Sequence, residues 1–265
     1  MTTTTVESVV EVEARDGGVA VVRMNRPERL NALNPALIQG LNDYFAAFKA
    51  GSYQTRAIVF TGAGRAFCAG GDFSPKDPDA EPDPWRRGHP EAEPIRAMRD
   101  CDAPIIGALN GYAMGGGFSL AMATDLRIAA DDAVFQVAQM KRGIVAEYGL
   151  SYFLQEQLGR QRALELMLSA RRIDAQEALD LGLVLEVVPR EELEARAVEF
   201  AQEIASGPPL GMSATKRMVS VVEEDDLSRV QELSIGYNRQ LGATEDGAEG
   251  IRSFIERREP QFQGR

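Results

Sequence analysis

Asn110-Gly-Tyr-Ala-Met-Gly-Gly-Gly-Phe-Ser119 joins a strand-like run to a helix-like run. A second glycine-rich stretch, Thr61-Gly-Ala-Gly-Arg-Ala-Phe-Cys-Ala-Gly-Gly-Asp72, also follows a strand-like run. Consecutive glycines leave backbone N–H groups uncovered by side chains, and the start of a helix adds the positive end of its dipole. Each stretch therefore suits the binding of an anion, or of an oxygen that becomes anionic.

Neither glycine-rich stretch has the spacing of a nucleotide-binding fingerprint. The chain has no G-x-x-x-x-G-K-[ST] motif, and residues 115–117 do not fit G-x-G-x-x-G. One such stretch alone is equally well explained by a tight turn needed for packing. Two stretches that each end a core strand can aim two amides at one point, and two amides that converge on a carbonyl oxygen form an oxyanion hole.

The first half of the chain alternates strand-like and helix-like runs. A helix is predicted to begin after Asn34 as its N-cap, with Pro35 at the first helical position. The alternation predicts an α/β architecture with mostly parallel strand pairing. The predicted strands are residues 19–25, 56–62, 104–110 and 126–130.

The second half is predicted to be mainly helical. Asp174 and Glu177 have the spacing of a capping box that opens a helix over residues 175–181, and a short strand follows at 183–188. The later helices are predicted at residues 191–206, 210–224, 227–241 and 246–258. We divide the chain into a tail with a first strand (1–18), a core (19–206) and a helical region (207–265) that packs on the main domain or on other subunits.

Residues 74–94 break the pattern. They hold six of the chain's 13 prolines, together with its single Trp and its single histidine, His89. Such a stretch forms neither regular helix nor strand. It predicts a mobile lid or plain disorder, and the sequence favours neither alternative.

Composition excludes several classes of protein. The 265 residues carry a formal net charge of −11, which argues against a general nucleic-acid binder. No apolar run approaches the roughly 20 residues that span a bilayer, and residues 1–7 show no secretion signal. Two cysteines and one histidine provide neither a disulfide framework nor a zinc site. We therefore expect a cytoplasmic protein without a metal ion.

Taken together, these motifs resemble those of the crotonase superfamily, also called the enoyl-CoA hydratase/isomerase family. The resemblance extends from about Val19 to Phe262. It implies a spiral of ββα units, a helical C-terminal trimerisation region, a trimer or a dimer of trimers, and no redox cofactor. The segments that carry it are residues 25–33, 67–72, 110–117, 175–182 and 249–262.

The resemblance also implies an acyl-CoA ligand whose thioester oxygen lies between the N–H groups of Gly71 and Gly116. Two arginines would lie near the CoA phosphates, although solvated surface charge explains them equally well. Tyr148 would contact the acyl group or simply pack. The residues implied to contact the substrate or CoA are Arg26, Arg29, Ala32, Leu33, Ala69 and Tyr148.

The chain departs from the family at two catalytic positions. The best-known hydratases use two glutamates to place and deprotonate water, and these positions hold Ser119 and Gln139 here. A hydroxyl and a carboxamide orient water but cannot act as a carboxylate base. We interpret both as polar residues of the pocket.

Glu147 is the candidate replacement for the missing carboxylates, in the loop that borders the acyl pocket in the family. Its spacing after Gly143 is similar to that of the nucleophilic aspartate of the 4-chlorobenzoyl-CoA dehalogenase branch. A carboxylate there serves as an acid–base group or as a nucleophile. The alternative is a helix cap or a surface charge.

We therefore predict an acyl-CoA-handling enzyme of the enoyl-CoA hydratase/isomerase type, a lyase or isomerase that stabilises a thioester enolate, with enoyl-CoA hydratase, a lyase, as the predicted activity. One alternative is a CoA-thioester hydrolase or dehalogenase-like enzyme that uses Glu147. The other is an acyl-CoA binder that has lost catalysis, as the residues at positions 119 and 139 allow.

Overall fold

The computed structural model describes residues 8–50, 54–72, 94–221, 231–232, 235–236 and 238–261. The strands in these ranges are β1 (Val10–Arg15), β2 (Val19–Met24), β3 (Ala57–Gly62), β4 (Ala66–Cys68), β5 (Ile105–Leu109), β6 (Tyr112–Met114), β7 (Leu126–Ala130), β8 (Val134–Gln136), β9 (Arg172–Asp174) and β10 (Glu186–Val188). The helices are α1 (Pro35–Ala46), α2 (Pro94–Asp100), α3 (Gly116–Met122), α4 (Leu150–Ser169), α5 (Ala175–Asp180), α6 (Leu193–Ala205), α7 (Pro209–Val221) and α8 (Glu245–Glu256).

The strands form two sheets. The larger has six strands in the order β1-β2-β3-β5-β7-β10, and the smaller has four in the order β4-β6-β8-β9. Pairing is parallel except between β1 and β2 and between β8 and β9. The chain moves from a strand of the larger sheet to one of the smaller and back, three times in succession, which gives the expected spiral of ββα units.

The strands β2, β3, β5 and β7 of the larger sheet are buried on both faces, which explains their runs of apolar residues, whereas the edge strand β1 is largely exposed. Successive side chains of a strand point to opposite faces. Val59 and Ile106 accordingly pack in one cluster with α6, while Ile58 and Ile105 pack in another with α1.

The predicted elements agree with the structure, with small differences at their ends. The four predicted strands are confirmed as β2, β3, β5 and β7, and Asn34 caps α1 by accepting a 2.9 Å hydrogen bond from the Leu37 N–H. The strand predicted at 183–188 begins only at Glu186. The reason is that the Leu183 N–H bonds to the Ala178 carbonyl at 2.8 Å and closes the turn after α5.

The predicted loop at 74–94 lies outside the described residues except for Pro94, which is already the first residue of α2. His89 is outside them too. The helix predicted at 227–241 is described in part, at residues 231–232, 235–236 and 238–241, where the chain is helical. The other C-terminal helices appear as α6, α7 and α8, close to their predicted bounds.

The described C-terminal helices pack on the main domain. Lys216 of α7 forms an ion pair with Asp125, with 2.7 Å between Nζ and Oδ2, and its side chain is 7% exposed. Helix α8 packs against the 3₁₀ turn Met140–Arg142. Contact with other subunits stays a prediction.

Among the helices of the described ranges, none has the length and apolar character to cross a bilayer.

The carboxyl ends of β3 and β5 lie at one edge of the larger sheet, and Asn110 joins them. Its Nδ2 donates to the Gly62 carbonyl at 2.7 Å and to the Gly64 carbonyl at 2.9 Å, while its Oδ1 accepts from the Gly62 N–H at 3.2 Å. Both glycine-rich stretches start from this edge. The fold therefore brings them to the same place.

Candidate active site

The first glycine-rich stretch pairs with residues near the start of α1. The Leu33 N–H donates to the Gly70 carbonyl at 2.7 Å, and the Asp72 N–H donates to the Leu33 carbonyl at 2.9 Å. Backbone groups of successive residues in an extended chain point to opposite sides. The Gly71 N–H therefore points away from Leu33.

Asn31 holds this pairing in place from inside the protein. It is fully buried and has a positive φ of 54°, a conformation that asparagine tolerates better than most residues. Its Nδ2 donates to the carbonyls of Ala63 and Ala66 at 2.9 and 2.8 Å, and its Oδ1 accepts from the Arg26 N–H at 2.9 Å. The turn before Leu33 is thus fixed to β4.

The two arginines predicted near the CoA phosphates lie in different surroundings. Arg26 forms an ion pair with Asp72 at 2.9 Å and also donates to the Ala32 carbonyl. Both side chains of the ion pair are about 15% exposed or less, so Asp72 acts here as a structural partner. Arg29 is exposed at the end of the 3₁₀ turn Pro27–Arg29. The phosphate contacts of both arginines stay predictions.

The second glycine-rich stretch lies directly against the first. Gly115 has a φ of 53°, its N–H bonds to the Gln136 carbonyl at 2.9 Å, and α3 begins at the next residue. A Cβ on Gly117 would overlap the Cys68 carbonyl. A Cβ on Gly70 would lie 3.4 Å from the Gly116 nitrogen and 2.7 Å from the Met114 carbonyl oxygen. Only glycine permits this approach of β4 and α3.

This contact brings the backbone of Gly70, the residue before Gly71, against the Gly116 nitrogen. The Gly116 N–H belongs to the first residue of α3, where the helix provides no acceptor. The Gly71 N–H points away from Leu33, to the side where β6 pairs with β4. Within the described parts of the chain, neither N–H donates a hydrogen bond. Two main-chain N–H groups that converge on one oxygen stabilise negative charge there, and the shared oxyanion hole of Gly71 and Gly116 stays a prediction.

Apolar side chains line the space beside Gly116. A Cβ at this position would lie 3.0 Å from Cδ1 of Leu33 and 3.3 Å from Cε2 of Tyr148. Leu33 is buried and Tyr148 is half-buried. Ala69, which precedes Gly70, is also half-buried, and Ala32 is buried behind the Arg26 guanidinium. The roles assigned to these residues in ligand binding stay predictions.

Ser119 is bonded to the backbone of the loop that carries Glu147. It is fully buried in α3, and its Oγ donates to the Glu147 carbonyl at 2.9 Å. The Gly115 carbonyl lies 3.3 Å from the same oxygen. The hydroxyl therefore fastens the loop to the helix that starts at Gly116.

The carboxamide of Gln139, unlike the Ser119 hydroxyl, is buried without a hydrogen bond to the described protein. It is 4% exposed, and neither its Oε1 nor its Nε2 has a hydrogen-bond partner in the described protein. The amide atoms lie 3.5 Å from where a Cβ on Gly115 would be. A buried polar group without a partner costs about 1–3 kcal/mol. Such an amide at the start of α3 is a candidate ligand contact.

Glu147 lies half-buried in the loop between the Met140–Arg142 turn and α4. The N-cap of α4 is Gly149, so Glu147 is not the cap considered from the sequence. Its Oε1 accepts a 3.0 Å hydrogen bond from Nδ2 of Asn238, whose Oδ1 accepts from the Val145 N–H at 3.0 Å. The sequence contains no signal for Asn238, because this contact joins residues far apart in the chain.

Cys68 is unsuited to nucleophilic chemistry. Burial raises the pKa of its thiol to about 12, which keeps the sulfur protonated at neutral pH. In the described residues, no three His, Cys, Asp or Glu side chains are grouped as metal ligands. The polar groups available for chemistry here are main-chain amides, one carboxylate and one carboxamide.

Comparison with known proteins identifies the family of the chain. The enoyl-CoA hydratase/isomerase family model matches residues 14–265. A protein described as a probable enoyl-CoA hydratase from Rhodobacter capsulatus is 36% identical over 250 residues, which cover 94% of this chain and 95% of the relative. The 1,2-epoxyphenylacetyl-CoA isomerase of Escherichia coli is 32% identical over 252 residues, which cover 94% and 96%.

A solved structure gives the same result for the fold. The crystal structure of an enoyl-CoA hydratase/isomerase from Pseudoalteromonas atlantica superposes with a TM-score of 0.86 at 30% identity, covering 96% of this chain and 100% of that one. Sequence and structure thus point to one family over nearly the full length. The chain belongs to the enoyl-CoA hydratase/isomerase family, has the crotonase fold, and is an acyl-CoA-handling enzyme of that type.

Proposed function

We propose that the enzyme moves a proton along the acyl chain of an enoyl-CoA thioester and so shifts its double bond. Glu147 removes a proton from the carbon next to the thioester, and the electron pair of that C–H bond passes into the thioester carbonyl to form an enolate conjugated with the double bond. The thioester oxygen takes up the negative charge between the Gly71 and Gly116 N–H groups. Glu147 then returns the proton to the carbon at the far end of the conjugated system.

The observation that carries this proposal is the attachment of the Glu147 loop to α3. The Ser119 hydroxyl bonds to the Glu147 carbonyl at 2.9 Å, one helical turn after Gly116. The acid–base group and the amide donor are thus parts of one rigid unit. A single carboxylate is sufficient for a proton shift, because the same group gives back the proton that it takes.

The residues at the usual glutamate positions favour a proton shift over the two-glutamate addition of water. Neither Ser119 nor Gln139 can accept a proton from water at neutral pH. One relative, the 1,2-epoxyphenylacetyl-CoA isomerase, is named for an isomerisation. This name supports the isomerase class, and the acyl group of the present substrate is a separate question.

Addition of water is the second candidate, and Gln139 is the observation that favours it. Its carboxamide has a donor and an acceptor without partners among the described residues. A water molecule or a hydroxyl group, each both donor and acceptor, satisfies both ends. In that reaction Gln139 would orient the water and Glu147 would exchange the proton.

We also propose which residues contact CoA and in which oligomeric state the enzyme exists. Exposed Arg29 would approach the CoA phosphates, and Ala32 and Leu33 would lie along the nucleotide.

We propose a trimer or a dimer of trimers, supported by the apolar residues that α8 exposes, Ile251, Phe254 and Ile255. The proposed reaction uses the CoA thioester as substrate and needs neither a metal nor a redox cofactor.

The function is tested with 2-enoyl-CoA and 3-enoyl-CoA substrates in D₂O, followed by NMR and mass spectrometry. We expect the double bond to move with no mass of water added. Deuterium should enter at the carbon to which the proton is returned, which is C4 when the substrate is a 3-enoyl-CoA and C2, next to the thioester, in the reverse reaction. The E147Q variant should lose about 10²–10⁴-fold in kcat, the usual contribution of an acid–base group. E156Q, which changes an exposed glutamate of α4, is the matched control.

Full activity of E147Q would show that Glu147 is not the acid–base group. Products that carry the mass of water would favour hydration instead. A covalent acyl adduct on Glu147 would favour the hydrolase or dehalogenase alternative. Binding without turnover of any thioester would identify a non-catalytic binder.

The oxyanion hole is tested at Gly116 with a pair of variants. G116P removes the N–H at a helix position that tolerates proline, whereas G116A keeps the N–H and adds a Cβ near Leu33 and Tyr148. Loss of one oxyanion donor costs about 10²–10³ in kcat. We expect kcat of G116P to fall by about this factor below that of G116A. Equal rates for the two folded variants would contradict the assignment.

The role of Gln139 is tested by Q139M, which replaces the carboxamide with an apolar group of similar size. Because the amide has no partner in the part of the chain that the structure describes, we expect the free energy of unfolding of the ligand-free enzyme to rise by about 1–2 kcal/mol. Turnover should fall. Urea denaturation and steady-state kinetics measure both quantities, and a less stable variant with unchanged turnover would show that Gln139 has no ligand.

A further inference from the structure

The C-terminal region contributes Asn238 to the loop that carries Glu147. We propose that Asn238 is a positioning residue, whose carboxamide holds the Glu147 carboxylate in the orientation needed for proton transfer. This inference rests on the proposed function, since it assigns to Glu147 the acid–base role. It also gives the C-terminal region a part in catalysis besides any part in assembly.

Both ends of the Asn238 carboxamide are bonded to the same short loop. Oδ1 accepts from the Val145 N–H at 3.0 Å, and Nδ2 donates to Glu147 Oε1 at 3.0 Å. A backbone N–H requires an acceptor, which assigns the oxygen of the amide to Val145. The NH₂ group must then face the carboxylate, so the two contacts support one another.

The loop is held from its other side by α3. Ser119 bonds to the Glu147 main-chain carbonyl, whereas Asn238 bonds to the Glu147 carboxylate. One contact therefore places the backbone and the other places the acid–base group. Loss of the Asn238 contact would leave the backbone attached and give the glutamate side chain more rotamers.

Helix α8 keeps the C-terminal region close to this loop. The Arg142 guanidinium lies 4.3 Å from the centre of the Phe254 ring. A Cβ on Gly143 would be 3.1 Å from the Asp246 carbonyl oxygen, and one on Gly250 would overlap the backbone of Arg142. The turn that leads into the Glu147 loop is thus packed tightly against α8. This packing keeps the loop close to the C-terminal region that carries Asn238.

N238D and N238A test the proposal on the full-length enzyme with the 3-enoyl-CoA substrate. N238D keeps the shape of the side chain and an acceptor for Val145 but places a carboxylate against Glu147. A misplacement of about 1 Å at a catalytic group costs on the order of 10²-fold in rate. We expect kcat to fall about 10–100-fold in both variants while KM stays within about threefold. Q240A, at an exposed position of the same helical stretch, should match the wild type.

The E147Q N238D double variant separates positioning from general structural support. N238D should reduce the rate in the wild-type background and cause no further loss in the E147Q background. Its melting temperature should recover towards that of E147Q, because the new amide can donate to the new carboxylate. Thermal melts identify unfolded variants, and N238A provides the rate comparison where N238D is unfolded.

Three results decide between the possibilities. An inactive E147Q with fully active N238D and N238A would overturn the role of Asn238 and leave the proposed function intact. An active E147Q would overturn the proposed function itself. A rise in KM with unchanged kcat, or equal losses in both backgrounds, would make Asn238 a structural residue and contradict the proposal.

Discussion

The close contact between β4 and the start of α3 is the constraint on which the site depends. Gly117 lies where any side chain would overlap the Cys68 carbonyl, and Gly70 lies against the Met114 carbonyl and the Gly116 nitrogen. This contact brings the two glycine-rich stretches together without using a side chain. Main-chain N–H groups that are fixed by such packing need little reorganisation as charge develops on a bound oxygen. The rest of the site is arranged around this pair.

Much of this arrangement can be predicted from the sequence, because it depends on local signals. Asn34 and Pro35 predict the start of α1, and apolar runs bounded by glycine or polar residues predict the strands of the larger sheet. The glycine-rich stretches predict where exposed amides occur. The contacts of Asn31 and Asn238 could not be predicted, since an isolated asparagine has no periodicity and its partners lie elsewhere in the chain. The same holds for the pairing of Arg26 with Asp72.

The two positions that usually hold glutamates have separate roles in this chain. Ser119 has become part of the scaffold, with its hydroxyl bonded to the backbone of the Glu147 loop. Gln139 stays buried and unpaired within the described protein, at an energetic cost that a bound ligand can offset. The loop that carries Glu147 is held from two sides, by Ser119 of α3 and by Asn238 of the C-terminal region. This arrangement supports the proposed reaction, in which Glu147 is the single proton shuttle.

A crystal structure with a bound acyl-CoA, refined with an intact thioester, tests the central claim most directly. The account predicts that the thioester oxygen lies about 3 Å from both the Gly71 and the Gly116 nitrogen, the normal length of an N–H···O bond. A thioester oxygen that contacts neither nitrogen, or only one while the other points away, would contradict it.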